Sequence, residues 1–302
     1  MKNIFEHTSA LWARYSDYEI KEDKKGTKYI IPVKDAEIQL YNPMKISEQI
    51  VIDTVNLGIH LITDKTGRKK YDKLIDHARK YGLMGLMTAL PTTAEFITYE
   101  KVYFPRNQFI KAESLSTMEY LNYFHPFEKP DFVKNGTESS WSVSNDNTGI
   151  ALTLALSDRP QAVVMSLQRI YAEPAEWFAQ MCADLAFYCM GSFLYYHDYD
   201  TLDPTKKELY QKSMLAFGGV SPTYKIALRE KNPCIVWDFN SMIQMVQMMF
   251  SFILTDENSS IKLCKNCGKA YIPSRKGTEF CSPKCKNQFH VNKSREKKDN
   301  SK

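Results

Sequence analysis

Apolar residues recur at helical spacing in the second half of the chain. Pro174 follows Glu173 at the start of one such stretch, and proline is favoured in the first turn of a helix. The apolar positions that follow share one helical face: Trp177, Met181, Leu185 and Tyr188. The pattern predicts an amphipathic helix that packs this face against a core.

Two more helices and a strand pair follow in the same half. Residues 205–217 predict a helix, and residues 224–228 and 234–237 predict two strands separated by a polar segment. Asp238 or Asn240 is then a candidate N-cap for a third helix. This helix carries a stripe that we interpret as core: Met242, Val246, Met249 and Ile253.

The first half of the chain has a mixed pattern. Residues 26–33 predict a strand that leaves a charged turn, and residues 71–90 carry the apolar spacing of an amphipathic helix. Alternating apolar and polar residues at 96–104 predict another strand. The sequence therefore predicts an α+β fold with a mixed N-terminal region and a helix-rich second half.

A change in composition marks the expected domain boundary. Residues 131–149 are rich in Asn, Ser, Thr, Asp and Gly, which is typical of a loop. We expect four regions: a mixed α/β region at 1–135, a mainly helical region with a short strand pair at 150–258, a zinc finger at 261–295 and a basic disordered tail at 296–302.

Composition places the chain among globular proteins. Its 302 residues are 43% hydrophobic and 25% charged, which argues against a mostly disordered chain. No apolar segment follows a basic start, and the apolar stretch at 245–254 is too short to span a bilayer. We expect a cytoplasmic protein that does not enter a membrane.

The positive charge is concentrated at the C-terminus. The chain has a net charge of +5, whereas residues 262–302 alone carry +9 and the preceding residues −4. An acidic body with a basic end favours contact between that end and a polyanion.

Seven cysteines are present, and four of them lie within 22 positions. This odd number and uneven spacing are unlike a disulfide framework. The remaining three, Cys182, Cys189 and Cys234, lie in apolar company and are expected to be packing residues. A redox pair would explain one CxxC but not a second cysteine pair near it. We therefore predict one structural zinc ion held by Cys264, Cys267, Cys281 and Cys285, a closed site with four thiolates.

The spacing of these cysteines predicts the local structure of residues 261–295, which we call the finger. Gly268 permits the positive backbone angle of a tight knuckle after Cys267. We expect a hairpin that runs out through 271–272, turns at 275–277 and returns through 279–280. Ser282 and Pro283 are typical of a helix start, which places Cys285 on the first turn of a helix. Knuckle, hairpin and helix together predict a treble clef.

Basic residues follow one stripe of the predicted helix. Lys286, His290, Lys293 and Lys297 are spaced by four, three and four residues. Arg275 and Lys276 add charge at the hairpin tip, and Asn287, Gln288 and Asn292 are candidate readers of base edges. Such a helix can lie against phosphates. The alternatives are a solvated helix face and lysines that only offset the charge of the zinc thiolates.

The segment from 261 to 295 resembles the CGNR-type zinc fingers, treble-clef modules at the C-terminus of bacterial proteins. In that family Gly-Asn-Arg follows the fourth cysteine, whereas here Lys286, Asn287 and Gln288 follow it, so beyond the cysteines only Asn287 matches. The order of elements is also similar to that family, because a strand containing Val236 and Trp237 and then a helix precede the finger. The resemblance covers about a seventh of the chain and implies a DNA-binding transcriptional regulator.

We therefore predict a zinc-finger protein that binds nucleic acid, with DNA as the expected partner and RNA left open. The alternative is a zinc-stabilised assembly module, and a homo-oligomer is also considered. We expect no enzymatic activity, since the chain has no HExxH, phosphate-binding glycine loop or nucleophile elbow. The polar cluster at 197–200 is interpreted as an acidic turn that ends a helix.

Overall fold

The structure is a computed structural model in which helices and strands both occur, as the predicted α+β class requires. It divides into two compact units, each built from segments far apart in sequence. The predicted regions, in contrast, are contiguous. The residues described are 12–86, 101–103, 109–128, 170–215, 217, 224–229, 232–237, 239, 241–256, 261–275 and 277–299.

The first unit comprises Met1–Ser47, Arg68–Ala179 and Ser221–Val246. Its strands are β1 Trp12–Tyr15, β2 Tyr18–Glu22, β3 Lys28–Pro32, β4 Ile38–Tyr41, β5 Lys101–Tyr103, β6 Ser114–Ser116, β7 Glu173–Pro174, β8 Tyr224–Arg229 and β9 Asn232–Trp237. They form small antiparallel sheets with strand order β1-β4, β2-β3-β7, β5-β6 and β8-β9. The helices α2 Lys70–Tyr81 and α3 Thr117–Asn122 also belong to this unit.

The predictions for the first half are confirmed in part. β3 confirms the strand predicted at 26–33. The helix predicted at 71–90 forms but ends at Tyr81, because Gly82 follows with a φ of 89° and donates its N–H to the Ala78 carbonyl. β5 is the described part of the strand expected at 96–104. The loop predicted at 131–149 lies outside the described residues.

A buried carboxylate organises the core of the first unit. Glu173 is fully buried, and its Oε1 accepts hydrogen bonds from the Leu86 N–H at 2.9 Å and the Tyr171 hydroxyl at 2.8 Å. Its Oε2 accepts from the Met84 N–H at 2.8 Å, and Oε1 also accepts from Gly85. These bonds fix the chain just after α2, where the Leu83 carbonyl accepts from the Trp12 indole.

The second unit comprises Glu48–Gly67, Gln180–Val220 and Gln247–Lys302. Aromatic rings pack within it, with centroids 5.2 Å apart between Tyr188 and Phe217 and 5.8 Å apart between Phe217 and Phe250. The remaining elements of the chain are α1 Ser47–Thr63, α4 Ala175–Asp198, α5 Pro204–Leu215, α6 Met242–Thr255, β10 Lys262–Leu263, β11 Ala270–Tyr271 and α7 Pro283–Asp299. A short 3-10 helix, Pro43–Ile46, precedes α1.

The elements predicted for the second half are confirmed. α4, α5, α6, β8 and β9 lie where the periodicity placed them, and the stripe on α6 is buried. The N-cap differs, since Ser241 Oγ accepts from the Gln244 N–H at 3.2 Å. The two residues proposed for this role, Asp238 and Asn240, lie outside the described residues.

No helix in the described part of the chain is long and apolar enough to cross a membrane.

Candidate metal centre

The first cysteine pair lies on a tight turn between two short strands. β10 pairs antiparallel with β11, with Lys262 opposite Tyr271. Inside this pair the Cys264 N–H donates to the Lys269 carbonyl at 2.9 Å, and the Gly268 N–H donates to the Cys264 carbonyl at 2.9 Å. Gly268 has a φ of 70°, as the knuckle required. The turn directs Cys264 and Cys267 toward one point.

The second pair lies at the start of α7. Ser282 precedes this helix, its Oγ accepts from the Cys285 N–H at 3.2 Å, and its carbonyl accepts from Lys286 at 3.1 Å. The predicted helix start at Ser282 and Pro283 is confirmed. α7 continues to Asp299, past the point where the sequence predicted a disordered tail from residue 296.

The strand pairing within the finger differs from the hairpin predicted through 271–272 and 279–280. The strand that contains Tyr271 pairs with β10, and no ladder between 271–272 and 279–280 occurs among the described residues. Contact with the returning chain is made by the Lys265 N–H, which donates to the Glu279 carbonyl at 3.1 Å, and by the Tyr271 hydroxyl, which donates to the Thr278 carbonyl at 2.8 Å. β11 therefore pairs with the strand that precedes the first cysteine pair.

The four cysteines converge as predicted. Their sulfurs all lie within 4.8 Å of one another. The Sγ of Cys281 is 3.7 Å from that of Cys267 and 3.5 Å from that of Cys285. A zinc ion with Zn–S bonds of about 2.3 Å spaces its tetrahedral sulfurs about 3.8 Å apart. The geometry therefore fits one ion and is too open for disulfide bonds, which need about 2.05 Å.

The proton affinities of the sulfurs differ within this group. Burial acts to raise the pKa of Cys264, but the backbone N–H groups of Cys281, Cys267 and Asn266 outweigh it and lower that pKa to about 6. For Cys281, burial and then the sulfurs of Cys285 and Cys264 raise the pKa to about 12. Four thiols this close cannot all ionise unaided, and a divalent cation would supply the missing positive charge.

The remaining cysteines are not part of this centre. Cys182 and Cys189 are buried, and burial raises the pKa of Cys189 to about 12. Cys234 is half-buried on β9. The buried pair matches the predicted packing role, because a thiol with a raised pKa is unreactive.

A polar side chain that the sequence did not single out anchors the finger within the second unit. Asn56 on α1 accepts from the Ala270 N–H at 2.7 Å through Oδ1 and donates to the Ala270 carbonyl at 3.0 Å through Nδ2. Ala270 is 2% exposed, so its backbone depends on these bonds. A lone Asn on a helix gives no local signal of a contact 214 residues away.

This anchor makes a testable prediction. Asn56→Ala leaves both backbone groups of Ala270 without their partner and is expected to destabilise the finger by about 1–3 kcal/mol. Hydrogen exchange of the finger amides should accelerate accordingly. The control is Gln49→Ala on the same helix, which removes only an exposed bond to Asp53. Equal exchange rates in the two variants would contradict the anchoring role.

The basic residues of the finger lie on its exposed surface. Lys286, Asn287, Lys293 and Arg275 are exposed, and no ion pair with a described carboxylate engages the three cations. Lys286 and Lys293, two members of the predicted stripe, are therefore exposed on α7. Lys297 lies on the same helix, and Lys276 lies outside the described residues.

Some candidate contact residues are already engaged. His290 lies beside Phe280 and Phe289, with ring centroids 6.1 and 5.9 Å away, and is not part of the sulfur group. Gln288 donates to Asn292 at 2.8 Å, so these two base-reading candidates bond to each other. The half-buried Phe280 and Phe289 rings pack with their centroids 5.2 Å apart.

No family model, curated protein or solved structure matches this chain. Functional inference therefore rests on the four-cysteine site and on the charges around it.

Proposed function

We propose that the four cysteines hold one structural zinc ion and that the finger binds nucleic acid, with duplex DNA as the partner. The observation that carries the proposal is the placement of exposed cations on α7, where Lys286 and Lys293 pair with no described carboxylate. This helix begins inside the sulfur group. Fixing the first turn of a helix to a metal orients the whole helix. The chain would act as a transcriptional regulator whose body places this helix.

Zinc is the ion that best suits the donor set. Four thiolates in a tetrahedral arrangement select zinc or an iron–sulfur centre, and a single ion with sulfurs about 3.8 Å apart favours zinc. The four ligands leave no open position for substrate or water. The ion would therefore stabilise the finger and take no part in catalysis.

The dimensions of α7 suit a groove of DNA. Its 17 residues span about 25 Å at 1.5 Å per residue. The major groove is about 12 Å wide and accepts one helix. Lys286 and Lys293 are two turns apart on this helix and can meet phosphates while Asn287 faces a base edge.

The knuckle and the cysteine-bearing helix also support the treble-clef and CGNR-type proposal. In both, the first pair lies on a tight turn and the last cysteine on the first turn of a helix.

The proposed contact of α7 with DNA phosphates is tested by the salt dependence of binding. Lys286→Gln combined with Lys293→Gln is expected to weaken duplex binding about tenfold and to lower the slope of log affinity against log salt by about 2, since each phosphate contact contributes about 0.9. Fluorescence anisotropy at several salt concentrations measures both quantities. The matched control is Lys206→Gln combined with Lys212→Gln, which removes two exposed lysines of α5. Equal losses in the two double variants would contradict the proposal.

The second candidate is a zinc-stabilised assembly module that makes no contact with nucleic acid. The outer face of the β8–β9 hairpin favours it, because Tyr224, Ile226, Leu228 and Ile235 are each more than half exposed. An apolar surface of this kind is typical of protein contacts. Absence of duplex binding near physiological salt, with a change of oligomeric state on chelation in size-exclusion chromatography, would support this alternative.

A further inference from the structure

A cleft of about 430 Å³ lies within the second unit, beside the finger. Its walls come from the last part of α4, the end of α6 and the strand β10. The apolar part of the lining is formed by Phe193, Leu254, Ile261 and Leu263. The volume lies in the range of about 300–1,000 Å³ that small-molecule sites occupy.

A serine on α4 lines this cleft. Ser192 is 5% exposed as a whole residue and belongs to the lining. Its hydroxyl is therefore available to a polar atom bound in the cleft.

The described lining of the cleft holds two lysines, Lys262 and Lys265, and two carboxylates, Asp256 and Glu279. Lys265 Nζ bonds to Glu279 Oε1 at 2.5 Å, so this pair is neutral. Asp256 is engaged in an interaction of its own. Lys262 is half-buried on β10 and pairs with no carboxylate in the described parts of the chain. An occupant with one negative charge would meet this ammonium group.

We propose that the cleft binds a small organic monoanion with an apolar, ring-sized body. The body packs against Phe193, Leu254 and Ile261, the anionic group pairs with Lys262, and a polar atom bonds to Ser192. This assignment does not depend on nucleic-acid binding by α7.

Bound anion would also affect the metal centre. Lys262 and Leu263 lie directly before Cys264, so an occupant that joins β10 to α4 and α6 restrains the strand that positions the first ligand. Binding to the folded state alone stabilises that state by mass action. Release of zinc to a chelator is therefore expected to slow when the cleft is filled.

The test uses a fluorescent pair that differs in charge. The anionic probe is 1-anilinonaphthalene-8-sulfonate, and the neutral one is its parent amine without the sulfonate. Lys262→Gln is expected to weaken binding of the anionic probe about tenfold and to leave the neutral probe unchanged. Ser192→Leu fills the cleft and should abolish specific binding of both. The control Lys269→Gln removes an exposed lysine of the same finger that does not line the cleft.

The outcomes are decisive in both directions. If Lys262→Gln and Lys269→Gln bind the anionic probe equally, the proposed anion site is overturned. Because Ser192→Leu can disturb folding, its circular dichroism spectrum and zinc content are compared with those of the wild type. The comparison of Lys262→Gln with Lys269→Gln tests the anion site independently of this variant. Zinc release unaffected by saturating anionic probe would overturn the proposed coupling to the metal centre.

Discussion

Cys281→Ser is expected to produce a chain that binds no zinc and whose finger is unfolded. The finger has few fully buried side chains, so the metal must supply most of its stability. Structural zinc contributes about 10–16 kcal/mol of apparent binding free energy in isolated finger peptides near neutral pH. Hydrogen exchange should show protection lost over residues 261–295 and retained in the strands of the first unit.

Elemental analysis provides the direct measurement for this variant. We expect about one zinc per wild-type chain and none in Cys281→Ser. Cys234→Ser is the control, because it removes a half-buried thiol outside the sulfur group and should keep the ion. The proposed centre would be ruled out by wild-type protein with no bound transition metal and four thiols that alkylate freely under native conditions.

The second large effect is expected at Glu173. Glu173→Ala leaves three backbone N–H groups and the Tyr171 hydroxyl without their acceptor in a fully buried site. Each unsatisfied buried donor costs about 1–3 kcal/mol. Allowing for entry of water, we expect a loss of at least about 3 kcal/mol in the free energy of unfolding, measured in urea.

Two further variants test whether the loss comes from the hydrogen bonds of the Glu173 carboxylate or from the smaller side chain. Glu173→Gln keeps one acceptor oxygen for the donors that meet Oε1, but it places an amide N–H opposite the N–H of Met84. The free energy of unfolding of this variant should therefore lie between those of the wild type and Glu173→Ala. Glu176→Gln, three residues along on α4, removes an exposed contact with Lys70. A surface ion pair contributes about 0–1 kcal/mol. Similar losses at the two glutamates would contradict the buried role.

The same site makes stability depend on pH. Burial raises the pKa of Glu173 above its ordinary value, against the opposing effect of its hydrogen bonds. A carboxyl group with a raised folded-state pKa contributes stability that is full below its unfolded-state pKa and is lost as the pH rises through the folded-state value. The stability advantage of the wild type over Glu173→Gln should therefore be largest in acid and shrink toward neutral pH. An advantage that grows with pH would contradict this direction.

Local rules account for what sequence patterns predicted well. The stripe on α6 follows from helical periodicity, and the two cysteine pairs follow from the reach of a CxxC turn and of one helical turn. Ser282 and Pro283 mark the start of α7 for the same reason, since a cap acts within a few residues. Among the disagreements, α2 ends early because Gly82 leaves the helical backbone angle, and in the finger β11 pairs with β10.

The sequence by itself determined the four-cysteine group and most helices of the second half, because each is encoded within a few turns of chain. Only the tertiary structure decided that Asn56 holds Ala270, that Glu173 binds the chain after α2 and that Ser192 and Lys262 share a cleft. Glu173 is 87 to 89 residues from its backbone donors. Contacts of this kind depend on how distant segments pack, and neither spacing nor periodicity carries that information.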